Sequence, residues 1–329
     1  MRSLRVRPTR WARPAALLAT LALLGAACAG GAGTAGEPSP GSSPSLAAQV
    51  ASADLYTGAP QRLLVGLFAG DGRLLSYGTV SFRISYTGPA GAPLERPEFV
   101  AETPARYIPT PGTPAGEGQR PVLTQPSEAR GVYQAEGLRF DRPGIYVVQV
   151  RADVAGMGPV SAQATFSVAA DPALPAPGDR APRTENLTLR SKGVPRAAID
   201  SGYLVEGKIP DPELHRWTIA RAIREHRPAL VVFATPAFCV SRFCGPAVSA
   251  VQELARRYAD RAVFIHVEIW EDYQEQKVNQ AAAQWLTLPD GSLVEPWLYL
   301  IGPDGVIVDR WGSLWDPAEV AAELEALPS

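Results

Sequence analysis

An unbroken apolar run, Leu230 to Ala234, ends at Thr235-Pro236 and is followed at once by two cysteines, Cys239 and Cys244. The run is far too short to cross a bilayer and reads as a strand buried on both faces. Pro236 disfavours helix for the residue before it and closes the strand. Beyond Pro246, the positions Ala247, Val248, Val251, Leu254, Ala255 and Tyr258 put apolar side chains along one helical face. A second apolar stretch, Ala262 to Ile269, completes strand, helix, strand. A right-handed crossover makes those two strands parallel. Both cysteines then fall at the carboxyl end of a central strand, beside a helix N-terminus, where open α/β sheets place their chemistry.

The spacing of the cysteines constrains the local backbone. Five residues of ideal helix advance about 7.5 Å and leave the Cα atoms roughly 8–9 Å apart. A disulfide needs them within about 7 Å. The pair closes only if Cys239 lies in the loop ahead of the helix, as Pro236 favours.

The chain begins with Arg2, Arg5, Arg7, Arg10 and Arg13, then an apolar run from Ala15 to Ala27 broken only by Thr20 and Gly25. That is a signal-peptide core, again too short for a membrane span. Residues 1–28 end in Leu24-Gly25-Ala26-Ala27-Cys28, which resembles the lipobox of bacterial lipoproteins, with its leucine one position further from the cysteine than usual. The resemblance implies lipidation of Cys28 and attachment to the cell membrane on its extracytoplasmic face; ordinary signal cleavage nearby is the alternative. Residues 29–45 are Gly, Ala, Ser, Thr and Pro with one Glu, the composition of a disordered tether.

About 300 residues remain, enough for two domains. The formal charge of −2 turns more negative once the arginine-rich leader is gone, and no Lys/Arg cluster offers a face to nucleic acid. With Cys28 lipidated, Cys239 and Cys244 form a single pair in an oxidising compartment, where a disulfide persists.

Residues 46–170 read as short strands punctuated by turns. Val80, Phe82, Ile84 and Tyr86 alternate with polar neighbours, the period of a half-buried strand. With the runs at 62–68, 131–133, 144–151 and 161–168, this spacing predicts an all-β immunoglobulin-like sandwich lacking the cross-sheet disulfide. The proline-rich piece from 101 to 130 is expected to be a long surface loop. Residues 171–194 form a linker whose prolines favour an extended, semi-rigid spacer. A helix is predicted from Asp211-Pro212, capped by Asp211, to about Glu225, and another from Asp316-Pro317 with Glu319 three residues after its cap. Between them, residues 297–301, a Gly-Pro-Asp-Gly turn and residues 306–310 make an antiparallel hairpin.

Helix–β–α–β–α–β–β–α over residues 195–329 resembles the thioredoxin-like fold, so the chain reads as multi-domain, with a C-terminal α/β domain after the all-β half. Phe233 lies 13 residues before Pro246, Glu295-Pro296 opens the hairpin, and Gly312 follows Pro296 by 16 residues, spacings that match the family's. The likeness is greatest to its membrane-tethered, extracytoplasmic thiol–disulfide oxidoreductases. It implies a cis bond before Pro296, thiol–disulfide exchange through Cys239 and Cys244 on exported or membrane proteins, and substrate docking beside Pro296, Glu295, Trp297 and Trp270. The cysteine motif departs from the family. Cys-x-x-Cys is replaced by Cys239-x-x-x-x-Cys244, Phe238 and Ser241 occupy the usual cysteine slots, and Val232 stands where a buried acid is usual.

Three readings of the pair stay open: a redox couple with Cys239 attacking and Cys244 resolving, a structural clip, or a copper(I) site. In the last, Cys239 and Cys244 would act with His266, as in Sco-type copper chaperones. His266 and Glu268 share one face of a strand and are candidates for proton shuttling as well as core packing. His215 and His226 read as solvated helix residues. No Ser-His-Asp order, metalloprotease helix or phosphate loop is present, so hydrolase and nucleotide chemistry have no support.

Overall fold

The computed structural model describes residues 46–114, 116, 118–239 and 243–328; Cys28, the leader and the tether lie outside them. Among the described residues no helix is long and apolar enough to cross a membrane. They comprise a β-rich part followed by an α/β part.

The β-rich part contains β1 (Leu46–Val50), β2 (Gln61–Ala69), β3 (Leu74–Ser76), β4 (Thr79–Gly88), β5 (Glu98–Pro109), β6 (Val122–Thr124), β7 (Gly131–Leu138), β8 (Gly144–Val154) and β9 (Gly158–Val168). All nine pair antiparallel in one continuous sheet rather than as two separately paired layers, in the order β6-β3-β2-β7-β5-β4-β8-β9, with β1 on β2. The alternation in β4 is real: Val80, Phe82, Ile84 and Tyr86 are buried. They join one apolar core with Leu63, Val65, Tyr133, Tyr146, Val148 and Phe166.

Within the expected loop from 101 to 130, residues 101–109 belong to β5 and 122–124 form β6. Pro104 sits opposite Ser81 of β4, while β7 pairs β5 only from Arg106 onward, so one side of the ladder is open at the proline. Proline content misleads there because an open edge needs no N–H.

The α/β part runs α1 (Arg196–Ile199), α2 (Tyr203–Glu206), a 3-10 turn (Pro212–His215), α3 (Ile219–Arg224), β10 (Ala229–Ala234), α4 (Cys244–Tyr258), β11 (Val263–Glu268), β12 (Trp270–Asp272), β13 (Lys277–Val278), α5 (Gln280–Leu286), β14 (Trp297–Ile301), β15 (Ile307–Gly312) and α6 (Pro317–Ala326). Its main sheet has the order β11-β10-β14-β15, with β10 and β11 parallel and the β14–β15 hairpin antiparallel, as the apolar runs predict. Every side chain of β10 is buried. Val231 and Phe233 pack with residues of α3 and α5 on one face. Leu230 and Val232 pack with α4 and α6 on the other.

The helix expected from Asp211 to Glu225 is broken in two. Asp211 makes no capping bond, and the turn it opens ends at His215. Thr218 starts afresh, its hydroxyl accepting the N–H of Arg221 at 3.0 Å. At α6, Asp316 caps as expected, but Glu319 turns away from the cap and bonds Arg62 of β2 and Gln134 of β7.

Residues 171–194 are docked rather than free-standing. Leu174 and Ala181 are buried in the α/β core, and Asp179 accepts the N–H of Ile307. Arg310 of β15 holds this segment against both halves. Its guanidinium pairs with buried Asp54 at 2.8 Å, donates to the carbonyls of Leu174 and Pro175 at 3.0 Å, and lies over the rings of Tyr56 and Trp297. Asp54 in turn accepts the N–H groups of Ala173 and Leu174. Trp297 follows Pro296, so this clamp also sets the hairpin that borders the cysteines. Removing the cation leaves a carboxylate buried without its countercharge. Arg310→Ala is therefore expected to lower the unfolding free energy by about 3–5 kcal/mol in a urea titration; a loss below about 1 kcal/mol would show that the clamp does not hold the halves together.

Candidate functional site

The carboxyl end of β10 delivers Thr235, fully buried, and then a turn carrying Cys239, which is half-buried. The next described helix, α4, begins at Cys244, whose side chain has no solvent exposure. The two sulfurs lie at disulfide-bonding distance with Cα atoms 5.9 Å apart, inside the limit that a helical Cys239 would exceed. Phe243, the N-cap residue, makes no side-chain capping bond; instead Cys239 Sγ accepts the backbone N–H of Cys244 at 3.2 Å. A sulfur thus occupies the position of a helix cap, where unpaired N–H groups and the helix dipole favour negative charge. The arrangement is asymmetric: Cys239 is half-buried, and Cys244 has no exposure.

The surroundings of Cys239 come from three elements. The Glu295–Pro296 peptide is cis, and a carboxylate oxygen of Glu295 lies within 4.8 Å of both sulfurs. Pro296 itself is buried, and so is Trp297, which packs between Arg310 and Gly312 rather than presenting its indole to a partner. A Cβ on Gly312 would come within 2.9 Å of that indole, which explains the glycine by close approach. Trp270 is half-exposed and meets Tyr273 edge-on at 5.4 Å, while Tyr273 stacks on Phe238 at 4.1 Å. The resulting aromatic ledge beside Cys239 was not apparent from the sequence, because Tyr273 reaches Phe238 only through the β12–β13 turn. Phe243 also borders a cleft of about 390 Å³ whose wall includes Gln49, Phe68, Leu74 and Val132 of the β-rich part.

His266 is not beside the sulfurs. It is fully buried on β11 in a separate group with Asp200, Asp211 and His215, one donor atom of each lying within 4.8 Å of the others. The copper(I) set of Cys239, Cys244 and His266 is therefore not brought together. The third potential ligand near the thiols is the hard carboxylate of Glu295, a poor match for a soft ion. His215, expected in solvent, has no exposure either; its Nε2 lies 3.1 Å from Asp200 Oδ2. His226 alone is exposed, at a positive-φ position. No local pattern signals His215, because its partner Asp200 lies 15 positions upstream and a 3-10 turn, not an α-helix, carries it.

Electrostatics in this buried group are strong. Burial pushes the Asp200 carboxyl up, but the two histidines outweigh it and hold Asp200 well below the usual carboxylate range. Burial lowers His266, yet the adjoining Asp200 raises it to about 9. Burial pushes Asp211 up to about 6, lowers His215 and raises Glu268. The Glu268 carboxylate is engaged by backbone, accepting the N–H groups of Ile269 and Trp270. It also accepts the N–H of Ser201 at 2.7 Å, and Ser201 Oγ accepts the N–H of Ala237 at 3.1 Å in the cysteine turn.

No family model matches the sequence, and a search of curated proteins finds no match.

The Glu295 carboxylate disfavours a second negative charge on the sulfur it faces. In a Cys244→Ser background, Glu295→Gln is expected to raise the rate of Cys239 alkylation by iodoacetamide at neutral pH about three- to tenfold. An unchanged or slower rate would remove Glu295 from the thiol's electrostatics.

Proposed function

We propose that the chain is a membrane-tethered, extracytoplasmic thiol–disulfide exchange protein acting on exported or membrane proteins, with residues 195–329 forming a thioredoxin-like domain. The tether in this reading is a lipid on Cys28. The β-rich half is read as an immunoglobulin-like module whose layers share one hydrogen-bonded path, serving as a platform beside the exchange site. One observation carries the chemistry: half-buried Cys239 receives the N–H of Cys244 at the start of α4, while Cys244 is sealed beneath it. Parallel β10–β11, the β14–β15 hairpin and the cis peptide before Pro296 support the fold assignment.

In the reducing direction, the Cys239 thiolate attacks one sulfur of a partner disulfide. A new S–S bond joins Cys239 to the partner, and the partner's other sulfur leaves as a thiolate that takes up a proton. Cys244 loses its proton and attacks Cys239 Sγ; the bond to the partner breaks, and the partner departs as a dithiol. Two electrons have passed from the cysteine pair to the partner. In reverse, the oxidised pair accepts two electrons from a partner dithiol. The Phe238–Tyr273–Trp270 ledge provides apolar contact for an extended partner segment. A clip would need neither a solvent-facing sulfur nor an N–H aimed at it.

Reduced Cys244→Ser protein, incubated with a denatured secreted protein that retains a disulfide, is expected to accumulate a reducible adduct through Cys239. The Cys239→Ser protein should accumulate roughly tenfold less, because Cys244 is shielded. Equal trapping by both variants, or none by either, would overturn the exchange reading.

A further inference from the structure

The four residues around His266 have the composition and spacing of a metal site. Asp200, Asp211, His215 and His266 are all buried, and their potential ligand atoms lie within 4.8 Å of one another. His266 Nε2 lies 3.2 Å from the carbonyl oxygen of Ala234, which can only accept, so that nitrogen carries the proton. In a neutral ring the lone pair is then on Nδ1, which faces Asp200 Oδ2 at 3.6 Å. A histidine whose far nitrogen is fixed by a backbone carbonyl is oriented as metal-binding histidines are.

Three atoms of the group are buried with no hydrogen-bond partner, and two of them, His266 Nδ1 and Asp211 Oδ2, can act as ligands. His215 Nδ1 is likewise unpaired. Unpaired buried polar atoms are costly, and a metal ion that takes the place of the His266 proton would pair them while offsetting the repulsion between the two carboxylates. Around a tetrahedral zinc ion the ligand atoms sit about 3.4 Å apart. The His215 Nε2–Asp200 Oδ2 and His266 Nδ1–Asp200 Oδ2 separations, 3.1 and 3.6 Å, bracket that value.

We infer that Asp200, Asp211, His215 and His266 form a binding site for a divalent, zinc-like cation. Two neutral imidazoles and two carboxylates match a borderline ion and neutralise its two positive charges within the core. All four donors are protein atoms in a buried position, the mark of a structural centre. The cation ties residues 200–215 to β11, next to the turn that carries Cys239. The two regions are joined at Ser201, whose N–H bonds Glu268 and whose hydroxyl bonds the turn. The inference is independent of whether the cysteines exchange.

The test uses the full chain stripped with chelator, with the Cys239–Cys244 pair left oxidised and free thiols blocked by N-ethylmaleimide, so that sulfur cannot bind metal. One zinc per chain is expected by mass spectrometry of the dialysed protein. Zinc at 100-fold above its Kd should raise Tm by about 5 °C or more. Cobalt(II) should give the visible bands of a tetrahedral nitrogen–oxygen site without thiolate charge transfer. Asp211→Asn keeps the shape and removes one ligand charge. Its zinc affinity should fall by more than the roughly 10–100-fold that loss of an outer-shell partner costs, and its Tm should no longer respond to zinc. Without a cation in the site, Asp211→Asn only relieves a buried unpaired acid. No bound zinc, no cobalt spectrum and a variant at least as stable as the parent would overturn the site.

Discussion

Six consecutive side chains from Ala229 to Ala234 have no exposure to solvent. A strand buried so completely must be covered on both faces, and that demand sets the positions of α3 and α5 on one side and α4 and α6 on the other. It also dictates that the chain leaving β10 climbs onto a face before returning as β11, so the turn between strand and helix lies at the sheet's carboxyl edge. Cys239 and Cys244 occupy that turn and the first residue of the helix after it. The geometry of the sulfurs is thus a consequence of apolar burial several residues upstream.

Much of this was legible in the sequence because it depends on local pattern. The runs at 230–234 and 262–269 announce their strands, Pro236 and the disulfide's reach put Cys239 outside the helix, and the residues from 297 to 310 announce a hairpin. What stayed hidden depends on distant partners. Prolines in β5 read as a loop until β4 and the open side of the ladder are known. His215 reads as a surface residue until Asp200 and β11 close over it. Trp297 reads as a substrate contact until Arg310 and Gly312 are seen to enclose it. Arg62 and Glu319 are more than 250 positions apart, and no periodicity pairs them.

The α/β sheet has two differently furnished faces. Near β11, one face gives up apolar packing for a concentration of charge: Asp200, Asp211, His215, His266 and Glu268 are all buried there. Such groups are expensive to bury, and their cost is offset only by partners. They are linked to the cysteine turn through Ser201, which touches Glu268, Thr235 and Ala237, and through His266, which bonds the Ala234 carbonyl. The turn is therefore held from below by polar contacts and bordered above by the Glu295–Pro296 corner. In the exchange proposed above, a pair so held would present one sulfur in a fixed orientation, with little reorganisation needed at the moment of attack.

The central claim is that a half-buried, helix-capping sulfur backed by a fully buried one makes a working redox couple rather than a clip. Its most direct test is the reduction potential of the Cys239–Cys244 pair, measured by equilibration against glutathione or dithiothreitol buffers. An exchange-active pair should fall between about −120 and −270 mV, the range spanned by thiol–disulfide oxidoreductases, whereas a value well below about −300 mV would mark a structural disulfide and contradict the account.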